Sequence, residues 1–375
     1  MPAEILVNPL RHPLPQRGEH GPDPRAFHQR LPGYAPTPLV AAPGLAHELG
    51  LGRLWVKVES SRLGLPAFKM LGASWATYRA VSDRLGGEPE WTSLDDLRAA
   101  LAPLGSLQLV AATDGNHGRA VARTAKLLGY GAAIYVPAGT ADARIAGIES
   151  EGATVTVVDG TYDDAVARSA EDAAADVLVI SDTSWDGYTD VPGWVIDGYS
   201  TIFAEVDEQL AGSVPDVVVA QMGVGALTAA VVDRYAGSSA VVAVEPLSAA
   251  CGLRSAEAGA PTYVPGPHDS IMAGLNCGNV SIIAWPAVSA GVDVFVAVDD
   301  PAAERAMRDL DALDIEAGET GGAGLAGLRA LTESPEGPTA LDLAGKSALV
   351  ICTEGATDPV AYERITGHPP NPFVR

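Results

Sequence analysis

One lysine stands in the stretch SSRLGLPAFKMLGAS, residues 60–74: Lys69, between Phe68 and Met70 and flanked by Gly64 and Gly72. The chain holds only four lysines, Lys57, Lys69, Lys126 and Lys346, and arginine supplies nearly all other positive charge. An ordinary reading of Lys69 exists: a helix-start lysine lies along the surface with its stem on apolar neighbours and its head in water. The other reading is chemical. Among hydrophobic side chains the ammonium form is disfavoured by desolvation, and a neutral amine is what Schiff-base chemistry with an aldehyde requires.

Two glycine-bearing turns carry groups that fit the same chemistry. In MGVGALTAAVV, residues 222–232, Gly223 and Gly225 can take backbone angles closed to other residues, so that N–H groups converge at the start of a helix. Such a nest binds phosphate, and a plain strand-to-helix turn has the same composition. The spacing matches neither the dinucleotide fingerprint nor the P-loop. TDGNHGRAVA, residues 113–122, repeats the device with Gly115 and Gly118 and adds Asp114, Asn116 and His117. Each of these has an ordinary use: Asp114 as a helix cap, Asn116 in a left-handed turn, His117 as a hydrogen-bonded surface residue. Lysine, phosphate nest and polar loop together, at their places along one α/β chain, suggest pyridoxal phosphate.

Such groups need strand ends to hold them. Short apolar runs, RLWVKVE, LQLVAAT, GAAIYVP, ATVTVVD, DVLVISD, PDVVVAQ, SAVVAVE and KSALVIC, alternate with helix-like stretches such as GRAVARTAKLLG and YDDAVARSAEDAAA. That alternation predicts βαβ units and an α/β fold of largely parallel sheets buried on both faces. Ligands in open α/β sheets bind beyond the carboxyl ends of the strands. The loops after Ala112, Gln221 and Cys352 are the Gly-bearing ones. A Pro-rich arm precedes the pattern, to about residue 40, and no repeat of fixed period follows.

The 375 residues suffice for two domains at about 150 residues each, and 47% apolar content fills two cores. A formal net charge of −23 speaks against nucleic acid or an anionic membrane as partner, since both need concentrated Lys and Arg. A small molecule or another subunit is expected instead. Acidic residues are dispersed, as in DLDALDIEAGE, which predicts a solvated surface. The start MPAEILVNPLRHPLPQRG lacks a basic segment followed by an apolar core, and no apolar run approaches the roughly 18 residues of a membrane span, so a cytoplasmic location is expected. Cys251, Cys277 and Cys352 lack CxxC spacing and read as buried small hydrophobes, with neither a disulfide framework nor a zinc site.

SSRLGLPAFKMLGAS, ATDGNHGRAVA, SDTSWDGY, MGVGAL, IMAGLNCG, GETGGAGLAGL and CTEGATDP together resemble the motif series of the diaminopropionate ammonia-lyases. These are fold-type II pyridoxal-phosphate enzymes of the tryptophan synthase β family. The likeness runs in order from about Phe27 to Pro359, most of the chain. It implies two open twisted α/β domains with the cofactor in the cleft, a small one of residues 71–194 inserted into a large one of residues 1–70 and 195–375. It further implies that Lys69 carries the cofactor, that Asn116 bonds its phenolic oxygen, and that Gly223, Val224, Gly225 and Ala226 hold its phosphate. Thr353 is implied to face the pyridine nitrogen; a hydroxyl there leaves the nitrogen largely unprotonated, which favours elimination.

Asp114 is distinctive, because related dehydratases resemble SSGNH at this loop and carry a hydroxyl in its place. The resemblance implies that Asp114 removes the α-proton of a D-substrate while Lys69 serves the L-substrate from the opposite face. It marks Asp182 as a site carboxylate able to engage a β-ammonium, and Glu319 as a polar lining residue. A homodimer is implied. The expected reaction is α,β-elimination of 2,3-diaminopropionate to pyruvate and ammonia. A D/L-serine or threonine dehydratase-like or β-replacement enzyme of the same fold is the alternative. A non-catalytic binding protein is the reading from another class, and it has no need of Lys69, Asn116 and Thr353 together.

Overall fold

The computed structural model describes residues 3–14, 21–113, 115–172 and 174–371. Its strands are β1 (Ala3–Val7), β2 (Leu39–Ala41), β3 (Arg53–Val58), β4 (Gln108–Ala112), β5 (Gly131–Pro137) and β6 (Thr154–Val158). They continue with β7 (Val177–Val179), β8 (Val217–Gln221), β9 (Ala240–Pro246), β10 (Val294–Val298) and β11 (Ser347–Cys352). Seven form one sheet in the order β1-β10-β9-β8-β11-β3-β2, and four form a second in the order β6-β5-β4-β7. The chain is an α/β protein with two separate sheets.

The inner strands are parallel because helices connect them, and they are largely apolar because helices cover both faces. Every residue of β8 and of β10 is buried. Only the edges of the large sheet run antiparallel, β1 against β10 and β2 against β3. The eight apolar runs read from the sequence are all strands. β10 carries the same signal between Asp293 and Asp299. The N-terminal Pro-rich arm is more structured than expected, since it supplies β1, the short helix Pro24–His28 and β2.

The helix Lys69–Leu85 packs against the helix Asp190–Gln209 at close range, and small residues make this possible. A Cβ on Gly198 would stand 2.6 Å from the Leu71 carbonyl oxygen, and one on Gly72 would stand 2.6 Å from the Tyr199 ring. Beside this contact lies a buried ionic cluster. Glu205, on the second helix, receives Lys57 Nζ at 2.7 Å and an Arg62 nitrogen at 2.6 Å, and Arg62 also pairs with Glu59 at 2.7 Å. All four side chains are fully buried. Burial opposes the charge on Glu205, but Arg62 and Lys57 outweigh it and hold the carboxyl at about 2. Lys57 comes from β3, while Glu59 and Arg62 belong to the segment running from β3 to Lys69. The cluster thus sets where that segment leaves the sheet.

Removing one partner of such a cluster leaves uncompensated buried charge. Glu205→Ala is expected to lower stability by about 3–5 kcal/mol, read as a fall in the denaturant midpoint. An unchanged midpoint refutes the anchoring role.

Candidate active site

Lys69 is the first residue of its helix. The backbone before it is stitched to the end of β11: Phe68 N donates to the Thr353 carbonyl at 3.2 Å and Gly355 N to the Pro66 carbonyl at 2.9 Å. From this position Lys69 Nζ reaches Asp182 Oδ2 at 2.6 Å. The expected apolar setting of the lysine is present in Phe68, whose ring lies 5.3 Å from Nζ. The ion pair comes in addition to it.

Asp182 follows β7 in the smaller sheet. Its loop is held by Tyr188, whose hydroxyl donates to the Val179 carbonyl at 2.7 Å and accepts from Ser181 N at 3.1 Å. The Tyr188 ring stacks on Trp185 at 4.1 Å. This explains the aromatic residues of SDTSWDGY as loop supports. The Asp182 side chain is 6% exposed. Burial works against its charge, yet Lys69, His117 and hydrogen bonds from Lys69 and Tyr162 hold its carboxyl well below the usual range. Tyr162 Oη donates to Asp182 Oδ1 at 3.1 Å.

Three strand ends supply the remaining walls. After β8, Gly225 adopts φ +96°, a left-handed conformation that favours glycine, and the helix Ala226–Tyr235 starts there. Its first turn presents N–H groups that no helix can satisfy internally. After β4 comes Asn116, the first residue of the helix Asn116–Leu128. After β11 comes Thr353, whose hydroxyl stands 3.5 Å from the Thr320 carbonyl oxygen.

Lys69, Asn116, Asp182, Gly223, Val224, Gly225, Ala226 and Thr353 all line one cleft. Asp114 lies outside the described residues. His117 departs from expectation: it is 2% exposed rather than on the surface, with Nε2 2.7 Å from the Ile180 carbonyl oxygen. Glu319 is buried beside a second, wider cavity together with Arg144, so DLDALDIEAGE is only partly a solvated face.

Sequence reasoning passed over three residues here. Tyr162 lines the cleft, and its signal was the TYDD helix start after β6. Glu354 lines it too, one residue past Thr353, and its side chain accepts from Asn116 Nδ2 and from Thr320 N. Arg144, in the helix Asp142–Glu149, stands 3.8 Å from Glu319 and 3.9 Å from Glu354.

A family model described as pyridoxal-phosphate dependent enzyme matches residues 30–345. The chain belongs to this family. Its cofactor is pyridoxal phosphate, and the cleft fits it in chemistry: a lysine amine for the aldehyde, a glycine-opened helix start for the phosphate, and polar groups for the ring. A Cβ on Gly223 would stand 3.1 Å from the Gly274 carbonyl oxygen and 3.2 Å from Cys277 Sγ, so a side chain at that point of the loop is tightly crowded. Among relatives in this pyridoxal-phosphate family, the diaminopropionate ammonia-lyase of Salmonella typhimurium is 36% identical over 371 residues, 93% of this chain and 92% of that protein. The crystal structure of the Escherichia coli diaminopropionate ammonia lyase in complex with D-serine matches with TM-score 0.87 at 33% identity, covering 97% of each chain. The same Escherichia coli enzyme in complex with an aminoacrylate-PLP azomethine reaction intermediate matches with TM-score 0.84 at 33% identity, again over 97% of each chain.

Burial and the neighbouring Glu354 charge push the Glu319 carboxyl up from 4.5 to about 7, against the pull of Arg144. The folded state therefore binds the extra proton, and the stability this contributes is present at low pH and lost as pH rises through about 7. Glu319→Gln imitates the protonated form. It is expected to match the parent near pH 4.5 and to exceed its stability above pH 7 by up to about 3 kcal/mol. Denaturant melts at the two pH values check this, and equal differences at both refute it.

Proposed function

We propose that the protein eliminates ammonia from 2,3-diaminopropionate, consuming one water and yielding pyruvate and two ammonia molecules. The observation that carries this reading is the Lys69–Asp182 pair inside the cleft of a pyridoxal-phosphate enzyme. Asp182 is already arranged to hold an ammonium group at 2.6 Å. Once Lys69 is displaced from it, a substrate β-ammonium is the cation of the right charge to take that place. A substrate bearing a hydroxyl gives the carboxylate no such partner. The named activity of the relatives points the same way.

Pyridoxal phosphate supplies the electron withdrawal that makes the substrate's α-proton removable and its β-substituent able to leave. The chain's residues would hold it through the Lys69 amine, the Asn116 amide, the backbone N–H groups of residues 223–226 and the Thr353 hydroxyl. Lys69 then acts as base at the α-carbon on one face of the substrate. Asp114, assigned on sequence grounds, acts as base for the D-isomer. With Lys69 against it, and with help from His117 and Tyr162, the Asp182 carboxyl lies well below the usual range despite its burial; a substrate ammonium in the place of Lys69 supplies the same opposing charge. Tyr162 occupies Oδ1 and so leaves Oδ2 to the cation. Phe68 and Leu227 supply apolar cover for the reacting centre.

The two sheets support a division into a small domain of residues 71–194 and a large domain built from both chain ends. A homodimer, as the family resemblance implies, is part of the proposal; sedimentation of the holoprotein checks it. A cytoplasmic location is supported by the three buried cysteines, none of them in a disulfide.

Pyruvate release from D- and L-diaminopropionate, compared with D- and L-serine, tests the substrate. The diamine is expected to be preferred; preference for serine favours the dehydratase reading. Lys69→Ala is expected to abolish borohydride fixation of the cofactor and turnover together. Asp114→Asn is expected to lower turnover of the D-isomer by about 10²–10⁴-fold and to spare the L-isomer. Equal losses on both isomers refute a face-specific base.

A further inference from the structure

Glu354 is a buried carboxylate in the cleft to which neither the resemblance nor the reaction above gives a task. It is 1% exposed and is held at both ends. Its backbone forms a bridge with Ala67, two residues before Lys69. Its side chain crosses to the helix start of the smaller sheet, where Asn116 Nδ2 donates to Oε2. The other oxygen, Oε1, accepts from Thr320 N at 3.2 Å, and Arg144 stands 3.9 Å from it. Thr357 Oγ1 lies 3.4 Å from Oε2.

An asparagine amide has two faces of opposite character, and nothing in its own shape decides which way it points. An ionised carboxylate only accepts, so it can pair with Nδ2 and never with Oδ1. Both Glu354 oxygens receive donors. With one Nδ2 hydrogen taken by Glu354, the second is left to the cleft, and the amide cannot flip without setting Oδ1 against a carboxylate. A cofactor's phenolic oxygen needs a donor at that point.

We propose that Glu354 is the positioning residue that fixes the Asn116 amide with a donor toward the phenolic oxygen of pyridoxal phosphate. It acts through Asn116 and couples the Lys69 segment to the loop of the opposite sheet. The inference rests on the assignment of Asn116 to the cofactor made under the proposed function.

A double-mutant cycle tests it, with Glu354→Gln, Asn116→Ala and the combined variant, each titrated as apoprotein with pyridoxal phosphate. Glu354→Gln preserves shape but offers one acceptor oxygen where two donors wait. It is expected to weaken cofactor binding by about tenfold, the loss of one hydrogen bond to a charged group. In the Asn116→Ala background the same change is expected to cost less than about threefold, because the residue it acts through is gone. The pH midpoint of the visible band is expected to shift in Glu354→Gln and not to shift further in the combined variant, a readout that a purely structural loss leaves alone. If Glu354→Gln fails to melt cooperatively, Glu354→Asp takes its place, keeping the charge while drawing the oxygens back from Asn116. Unchanged affinity, or the same fold-loss in both backgrounds, overturns the assignment of Glu354. If the unsubstituted protein itself does not bind pyridoxal phosphate, the cofactor assignment of Asn116 falls instead.

Discussion

Glu205 has no access to water, and it stays an anion because Lys57 and Arg62 stand against it. In a medium of low dielectric such pairs are strong when complete and costly when broken, so they tolerate little displacement. The consequence is geometric. The cluster joins β3, the segment after it and the helix Asp190–Gln209 at one point, and the Gly72–Gly198 contact brings the helix that begins with Lys69 against that same helix. The lysine is therefore aimed by a dry charge cluster far back along its own segment.

From that fixed point the cleft assembles by a general property of parallel sheets: their strands all end on one side, and the loops there face the same space. Lys69 and Thr353 come from the large sheet, Asn116 and Asp182 from the small one. The pairs that cross the gap are electrostatic. Lys69 meets Asp182, Asn116 meets Glu354, and Arg144 stands near Glu319 and Glu354. A protein with a formal charge of −23 has carboxylates to spare, and in this cleft they outnumber the cations. That imbalance suits a substrate that brings a second ammonium group.

The parallel strands were legible because double burial demands unbroken apolar runs, and β10 shows the same signal as the others. β1 and β2 were not, for a physical reason. They are short edge strands, partly exposed, each paired antiparallel on one side only, and the partner of β1 lies nearly 300 residues away. His117 was misplaced for a similar cause: its neighbours in sequence are polar and glycyl, and only the packing of its helix on the small sheet, which brings it to the Ile180 carbonyl, buries it.

What the sequence by itself determined were residue types, local turns and their order: a lysine at a helix start, a glycine nest after one strand, a polar loop after another. Turn and cap rules act over a few residues, and so they are readable there. What only the tertiary structure decided is which charged and polar groups meet. Lys69 and Asp182 are 113 positions apart, and Asn116 and Glu354 are 238 apart. No local preference reaches that far; these contacts follow from sheet order, from the packing of two helices at paired glycines, and from the cost of leaving a buried charge alone.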